Sequence, residues 1–116
     1  MSKSYTFSRA SRLLTPQDFK IVFNQAHKLN FSSFMVYVME NGRGKSRLGL
    51  AVSKKSAKKA VTRNQIKRII RDSFRLRQDE LKGWDIVFVS RASANNISKA
   101  DLNALTQRVW RRISSC

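Results

Sequence analysis

Between Lys54 and Arg77 lie ten Lys or Arg residues and a single acid, Asp72, and the aliphatic residues among them sort the charges onto one side of a helix. At about 100° per residue, Ile66, Ile69, Ile70, Ser73 and Phe74 share one sector, while Asn64, Lys67, Arg68, Arg71 and Arg75 share the opposite one. The apolar sector requires a sheet or another helix to cover it. Arg63 falls nearer the apolar edge, where its stem packs and its head reaches outward. Gln65 lies on the flank of the basic stripe. Thr62-Arg63-Asn64-Gln65 has the form of a capping box, so the pattern predicts a helix from about Thr62 to about Arg77.

A helix of this kind must be carried by a folded body. The chain has 116 residues, 41% of them hydrophobic, with seven Phe, two Tyr and two Trp, which bounds it to one domain over 1–116 with its own core. Lys and Arg number 24 against 7 Asp and Glu, a formal charge of +17. Self-repulsion on that scale calls for a polyanionic partner, with nucleic acid ahead of an anionic membrane. There is no apolar run of about 18 residues and no apolar core in the first residues, Met1 to Thr6, so a soluble cytoplasmic protein is expected. The one cysteine, Cys116, has no internal partner and carries no functional weight.

Residues 1–14 follow neither a helical nor a strand period and read as an extended arm. Thr15-Pro16-Gln17-Asp18 is a helix start, with Thr as N-cap and Pro at the first helical position. That helix should run to about Ala26, with Phe19, Val22, Phe23 and Ala26 on one face. The stretch from Phe31 to Glu40 is rich in β-branched and aromatic residues and predicts a strand. Asn41 to Lys45 reads as the hairpin loop after it. Arg47 to Ser53 alternates Leu48, Leu50 and Val52 with Gly49, Ala51 and Ser53, a second strand with one small-residue face. Trp84 to Ser90, apolar almost throughout, predicts an interior strand covered on both faces. Ser98 opens a last helix with Leu102, Leu105, Val109 and Ile113 inward and Arg108, Arg111 and Arg112 elsewhere on its surface. The class is α+β, one sheet with helices packed on it.

The stripe can be read in two ways. For an average helix a row of bases is a solvated face. Here acids that would pair the bases at i,i+4 are nearly absent, and Lys67, Arg71 and Arg75 repel along the row. Arg offers a planar fork to phosphate oxygens and Lys a mobile point charge, so contact with RNA or DNA is the favoured reading.

The segment Ala60-Val61-Thr62-Arg63-Asn64-Gln65-Ile66-Lys67-Arg68-Ile69-Ile70-Arg71 resembles the signature of the protein subunit of bacterial ribonuclease P, with Gln65 standing where a second Arg is usual. Arg12-Leu13, Asp18-Phe19, Gly49 to Lys55 and Phe74 to Arg77 extend the resemblance along nearly the whole chain. It implies the element order α-β-β-β-α-β-α with a left-handed β-α-β crossover, against the usual right-handed rule. Two surfaces are also implied. Lys54, Lys55, Arg63, Asn64, Lys67, Arg68 and Arg71, to which the stripe adds Arg75, would engage the catalytic RNA. Phe19, Phe23 and Tyr37 would hold the single-stranded 5′ leader of precursor tRNA by stacking. From residue type and spacing alone, these three aromatics are more commonly core.

A protein nuclease acting with its own side chains would need His or paired carboxylates, or several converging acids for metals. The sole histidine, His27, reads as a helix-end or surface residue, and Asp79, Glu80 and Asp85 read as solvated acids near a turn at Gly83. The expectation is therefore a subunit of an enzyme without catalytic residues of its own, with magnesium held mainly by the RNA and the substrate. Its expected partners are ribonuclease P RNA and precursor tRNA, with no membrane and no obligate protein partner evident. The alternative is a ribosomal-type or general nucleic-acid-binding protein using the same helix.

Overall fold

The apolar run from Trp84 to Ser90 is the strand around which everything else is arranged. The computed structural model describes residues 16–42, 44–53 and 58–115. In chain order these form α1 (Pro16–Gln25), β1 (His27–Asn30), β2 (Phe34–Glu40), β3 (Arg47–Ala51), α2 (Ala60–Arg77), β4 (Trp84–Ser90), a 3₁₀ turn (Ala92–Asn96) and α3 (Lys99–Ser114). The expected order α-β-β-β-α-β-α is the one observed. The arm 1–14, the Thr15 cap, Lys54, Lys55 and Cys116 lie outside the described residues.

The strands are ordered β1-β2-β4-β3. β4 is antiparallel to β2 and parallel to β3, so it has a hydrogen-bonded neighbour on each side, as its apolar sequence requires. This corrects one expectation. Asn41 to Lys45 is not a hairpin turn, because β4 lies between the strands it joins. The hairpin is instead β1–β2, with Lys28 opposite Tyr37 and Leu29 opposite Val36.

One face of the sheet carries Phe34, Val36, Val38, Leu48, Ile86 and Phe88, packed under Ile66, Ile70 and Phe74 of α2 and Leu102, Leu105, Val109, Trp110 and Ile113 of α3. Trp110, fully buried, meets Phe88 edge-on at 5.5 Å between centroids and Phe74 at 6.0 Å. The opposite face is covered by α1 over a smaller cluster, in which Val22 and Val87 are wholly buried and Phe19, Ala26, Tyr37, Met39 and Val89 pack around them.

The hand of the β3-α2-β4 crossover follows from the hydrogen bonds of β4. Gly83 C=O accepts from Asn41 N–H, and Arg91 N–H donates to Ser33 C=O. Odd-numbered residues along β4 thus direct their backbone groups to β2, and even-numbered ones direct theirs to β3. Ile86 and Phe88, even-numbered, face α2 and α3. For L-residues whose side chains point at the viewer on a strand running upward, the backbone groups point right. β3 therefore lies to the right of β4 with α2 in front, and passage from β3 to β4 moves left. The crossover is left-handed, the exception to the common rule.

Other boundaries moved by local hydrogen bonding. α2 begins at Ala60 with Lys59 as an N-cap that makes no side-chain cap. Lys59 C=O already accepts from Arg63 N–H at 3.1 Å, so the helix is under way before Thr62 and the expected capping box is not used. At α3 the expected cap is present, with Ser98 Oγ accepting from Asp101 N–H at 3.0 Å.

Candidate nucleic-acid interface

α2 is held to the body by one buried polar anchor as well as by its aliphatic residues. Ser73 Oγ accepts from Trp110 Nε1 at 2.7 Å and donates to Thr106 Oγ1 at 3.2 Å, and Thr106 donates on to the Asn103 carbonyl. Burying an indole N–H without a partner is costly, so this bond reinforces the rotation of α2 that Ile66, Ile70 and Phe74 already set by packing inward. With Ile66, Ile70, Ser73 and Phe74 inward, the expected stripe faces out.

Within the stripe Asn64 is exposed, and the Arg68 side chain retains 84% of its accessible surface. Lys67 and Arg71 are half-buried, with Arg71 Nε donating to the Lys67 carbonyl at 3.2 Å, so their stems lie along the helix. Asp72 stands 3.9 Å from both Arg68 and Arg75, contacts too exposed to offset much charge. Arg63 departs from expectation. One of its terminal nitrogens donates to the Lys58 carbonyl at 2.9 Å, which turns part of its guanidinium back onto the chain entering the helix.

The aromatic group forms on the other face of the sheet. Phe19 and Phe23, one turn apart on α1, have centroids 6.1 Å apart, and Phe23 meets Tyr37 of β2 edge-on at 4.9 Å. Phe23 is 39% exposed, whereas Phe19 and Tyr37 are half-buried against the Val22–Val87 cluster. Lys28 Nζ sits 5.8 Å from the Tyr37 ring centre. The three rings thus combine a packing role with partial exposure, and a cation stands beside them.

Sequence reasoning missed what positions this aromatic helix. Asp85 is wholly buried, which corrects its reading as a solvated loop acid. Arg47 grips it twice, Nε to Oδ1 at 2.9 Å and Nη2 to Oδ2 at 2.6 Å, and Asn41 Nδ2 donates to the same Oδ1 at 2.8 Å. A second terminal nitrogen of Arg47 lies 3.7 Å from Asp18, in the first turn of α1. The Arg47 guanidinium pKa is raised, first by its hydrogen bond to Asp85, against desolvation that lowers it. The signal was available in the sequence. An acid inside a strand covered on both faces needs a cationic partner.

His27 opens β1 and is exposed, and Glu80 pairs with Arg77 at 2.9 Å. No group of three His, Cys, Asp or Glu among the described residues is placed to hold a metal ion. No helix among them is long and apolar enough to cross a membrane.

The family model described as Ribonuclease P matches residues 7–114. The chain belongs to the ribonuclease P protein family. It is 47% identical over 111 residues to the ribonuclease P protein component of Aliivibrio fischeri, covering 96% of this chain and 95% of that one, and matches the component of Aliivibrio salmonicida at the same identity and coverage. Among solved structures it is similar to the ribonuclease P protein of Staphylococcus aureus, with a TM-score of 0.82 and 30% identity over 90% of this chain and 95% of that one. The Thermotoga maritima ribonuclease P protein superposes with a TM-score of 0.72 and 28% identity over 90% and 96% of the two chains. As a ribonuclease P protein component, the chain is a subunit of a ribonucleoprotein endoribonuclease. The α+β sheet, its crossover and the α2 stripe are therefore features of a tRNA-processing subunit.

Proposed function

We propose that this ribonuclease P protein divides its two faces between two RNAs, in the cytoplasm. The α2 stripe of Asn64, Lys67, Arg68, Arg71 and Arg75, with Arg63 and with Lys54 and Lys55 ahead of the helix, docks on the catalytic RNA. The opposite cleft, with Phe19, Phe23 and Tyr37, takes the single-stranded 5′ leader of precursor tRNA. The observation that carries the second half is the Phe19–Phe23–Tyr37 series, with Phe23 partly exposed and Lys28 beside Tyr37. Unpaired bases stack on such rings with little demand on sequence, and the ammonium serves a leader phosphate.

The chemistry follows from what these side chains can supply. Neutralising phosphates on both RNAs lets two polyanions approach, and holding the leader fixes the scissile bond relative to the RNA active centre. Magnesium, held mainly by the RNA and the substrate, would supply the hydrolytic chemistry.

Two measurements test this. Cleavage of precursor tRNA is expected only when the protein is combined with the RNA subunit, and cleavage by the protein alone would overturn the division of labour. The holoenzyme is expected to bind precursor tRNA more tightly than mature tRNA, and Tyr37→Ala should shrink that difference. Equal affinity of the unmodified holoenzyme for both would remove the leader assignment.

A further inference from the structure

The carboxylates of the chain are unevenly distributed. Asp18 and Asp85 lie by Arg47, Asp72 between Arg68 and Arg75, and Glu80 by Arg77. Glu40 ends β2 and Asp79 follows α2, while Asp101 sits in the first turn of α3. At about 1.5 Å rise per residue, Asp101 is roughly 10 Å along the axis from Arg108. On the last turns of α3, Arg108 and Arg111 have no Asp or Glu side chain within a helical turn of them.

These three arginines are exposed on one side of the helix, while Leu105, Val109, Trp110 and Ile113 point into the core. Beside them, a groove of about 520 Å³ is lined by Asn30, Phe31, Arg108, Arg111, Arg112 and Ser115. Phe31 packs one side on the core and is half-buried. Asn30 Oδ1 accepts from the Arg91 guanidinium at 2.7 Å, so a further cation adjoins this rim. A helix C-terminus accounts for some preference for Arg through the macrodipole. It does not account for an aromatic ring set in a groove between those arginines and β1.

We propose that this groove, between the end of β1 and the last turns of α3, is a third RNA-contact surface of the protein, taking an unpaired nucleotide with its base against Phe31 and its flanking phosphates on Arg108 and Arg111. Face and charge fit together. A partly exposed ring stacks on any base, and the guanidinium forks that line the same groove meet the phosphates on either side of it. The groove lies on the edge strand β1, whereas α2 contacts β3 at the opposite edge of the sheet. It is therefore a site apart from the α2 stripe, and it does not depend on the leader cleft. Two RNAs can supply such a nucleotide, the distal part of a long leader or an unpaired segment of the catalytic RNA.

The experiment compares the full-length protein with Arg108→Gln/Arg111→Gln and with Phe31→Leu, which keeps apolar bulk in the groove. A pair of exposed lysines elsewhere, K82Q/K99Q, controls for net charge. Binding of oligouridylate is measured against salt. The arginine pair is expected to lower the salt slope by about 1.4, from about 0.7 per phosphate contact on single strands. Phe31→Leu is expected to weaken binding about tenfold with the slope unchanged. Arg108→Lys/Arg111→Lys should keep the slope. If the loss appears in the holoenzyme only with long-leader precursor tRNA, the nucleotide comes from the leader; if it appears in binding the catalytic RNA without substrate, it comes from that RNA. An arginine pair indistinguishable from the parent, or a K82Q/K99Q control that loses as much, overturns the proposal.

Discussion

Arg47 and Asp85 meet fork to fork, at 2.9 and 2.6 Å, with the carboxylate wholly buried and the guanidinium largely so. Breaking such a pair leaves an uncompensated charge and costs about 3 to 5 kcal/mol. Asp85→Ala is expected to lower stability by about 3 kcal/mol in urea denaturation, and Asp18 is too far away to substitute fully at 3.7 Å. A loss well under about 1 kcal/mol would mean that the pair is dispensable to the fold.

The same pair has a pH signature. The Arg47 pKa is raised above the ordinary arginine value, first by the Asp85 hydrogen bond. A raised cation stabilises fully below its unfolded value and loses that contribution only as pH climbs through the folded one. Ordinary alkaline buffers should therefore leave the contribution intact. Arg47→Lys brings the loss into reach, because an amine titrates near about 10.4 unfolded. Its midpoint in urea should fall more steeply than the parent's between about pH 10 and 12.

Ser73 offers a cleaner test of how α2 is oriented. Ser73→Ala removes the acceptor of the buried Trp110 N–H and should cost about 1 to 3 kcal/mol. Because no charge changes, the salt dependence of RNA binding should stay that of the parent. A changed slope would mean that the stripe had rotated.

On the stripe itself, stability and binding should move in opposite directions. Lys67 and Arg71 are i,i+4 cations, so Lys67→Gln/Arg71→Gln relieves a repulsion of a few tenths of a kcal/mol and should raise the melting temperature slightly. The same change should lower the salt slope for the catalytic RNA by about 1.4 to 1.8, two phosphate contacts' worth. Unchanged binding would show that the face is merely solvated.

Phe23, at 39% exposed, is the ring that can be removed with least harm to the core. Phe23→Ala is expected to weaken precursor-tRNA binding by roughly 1 to 3 kcal/mol while leaving mature-tRNA binding alone. Equal loss for both substrates would assign the ring to packing.

What was legible in the sequence was what neighbours in the chain dictate. The 3.6-residue period placed Ile66, Ile70 and Phe74 inward and Lys67, Arg68 and Arg71 outward, and those faces are the ones found. Ser98 caps α3 as its side chain predicts. Trp84 to Ser90 is interior because a run apolar at all but Asp85 and Ser90 has little to give to water on either face. The capping box at Thr62 failed for a local reason as well: the turn before it was already hydrogen-bonded to Lys59.

The tertiary structure alone decided which distant segments meet. β4 enters between β2 and β3, so an apparent hairpin loop becomes a connection across a strand and Asp85 is carried into the interior to face Arg47, 38 residues away. The same insertion sets Val87 beneath Val22 and so brings α1, with Phe19 and Phe23, over Tyr37. Periodicity tells a residue which side of its own element to occupy. It carries no information about which other element will lie there, because that choice belongs to the packing of the whole chain.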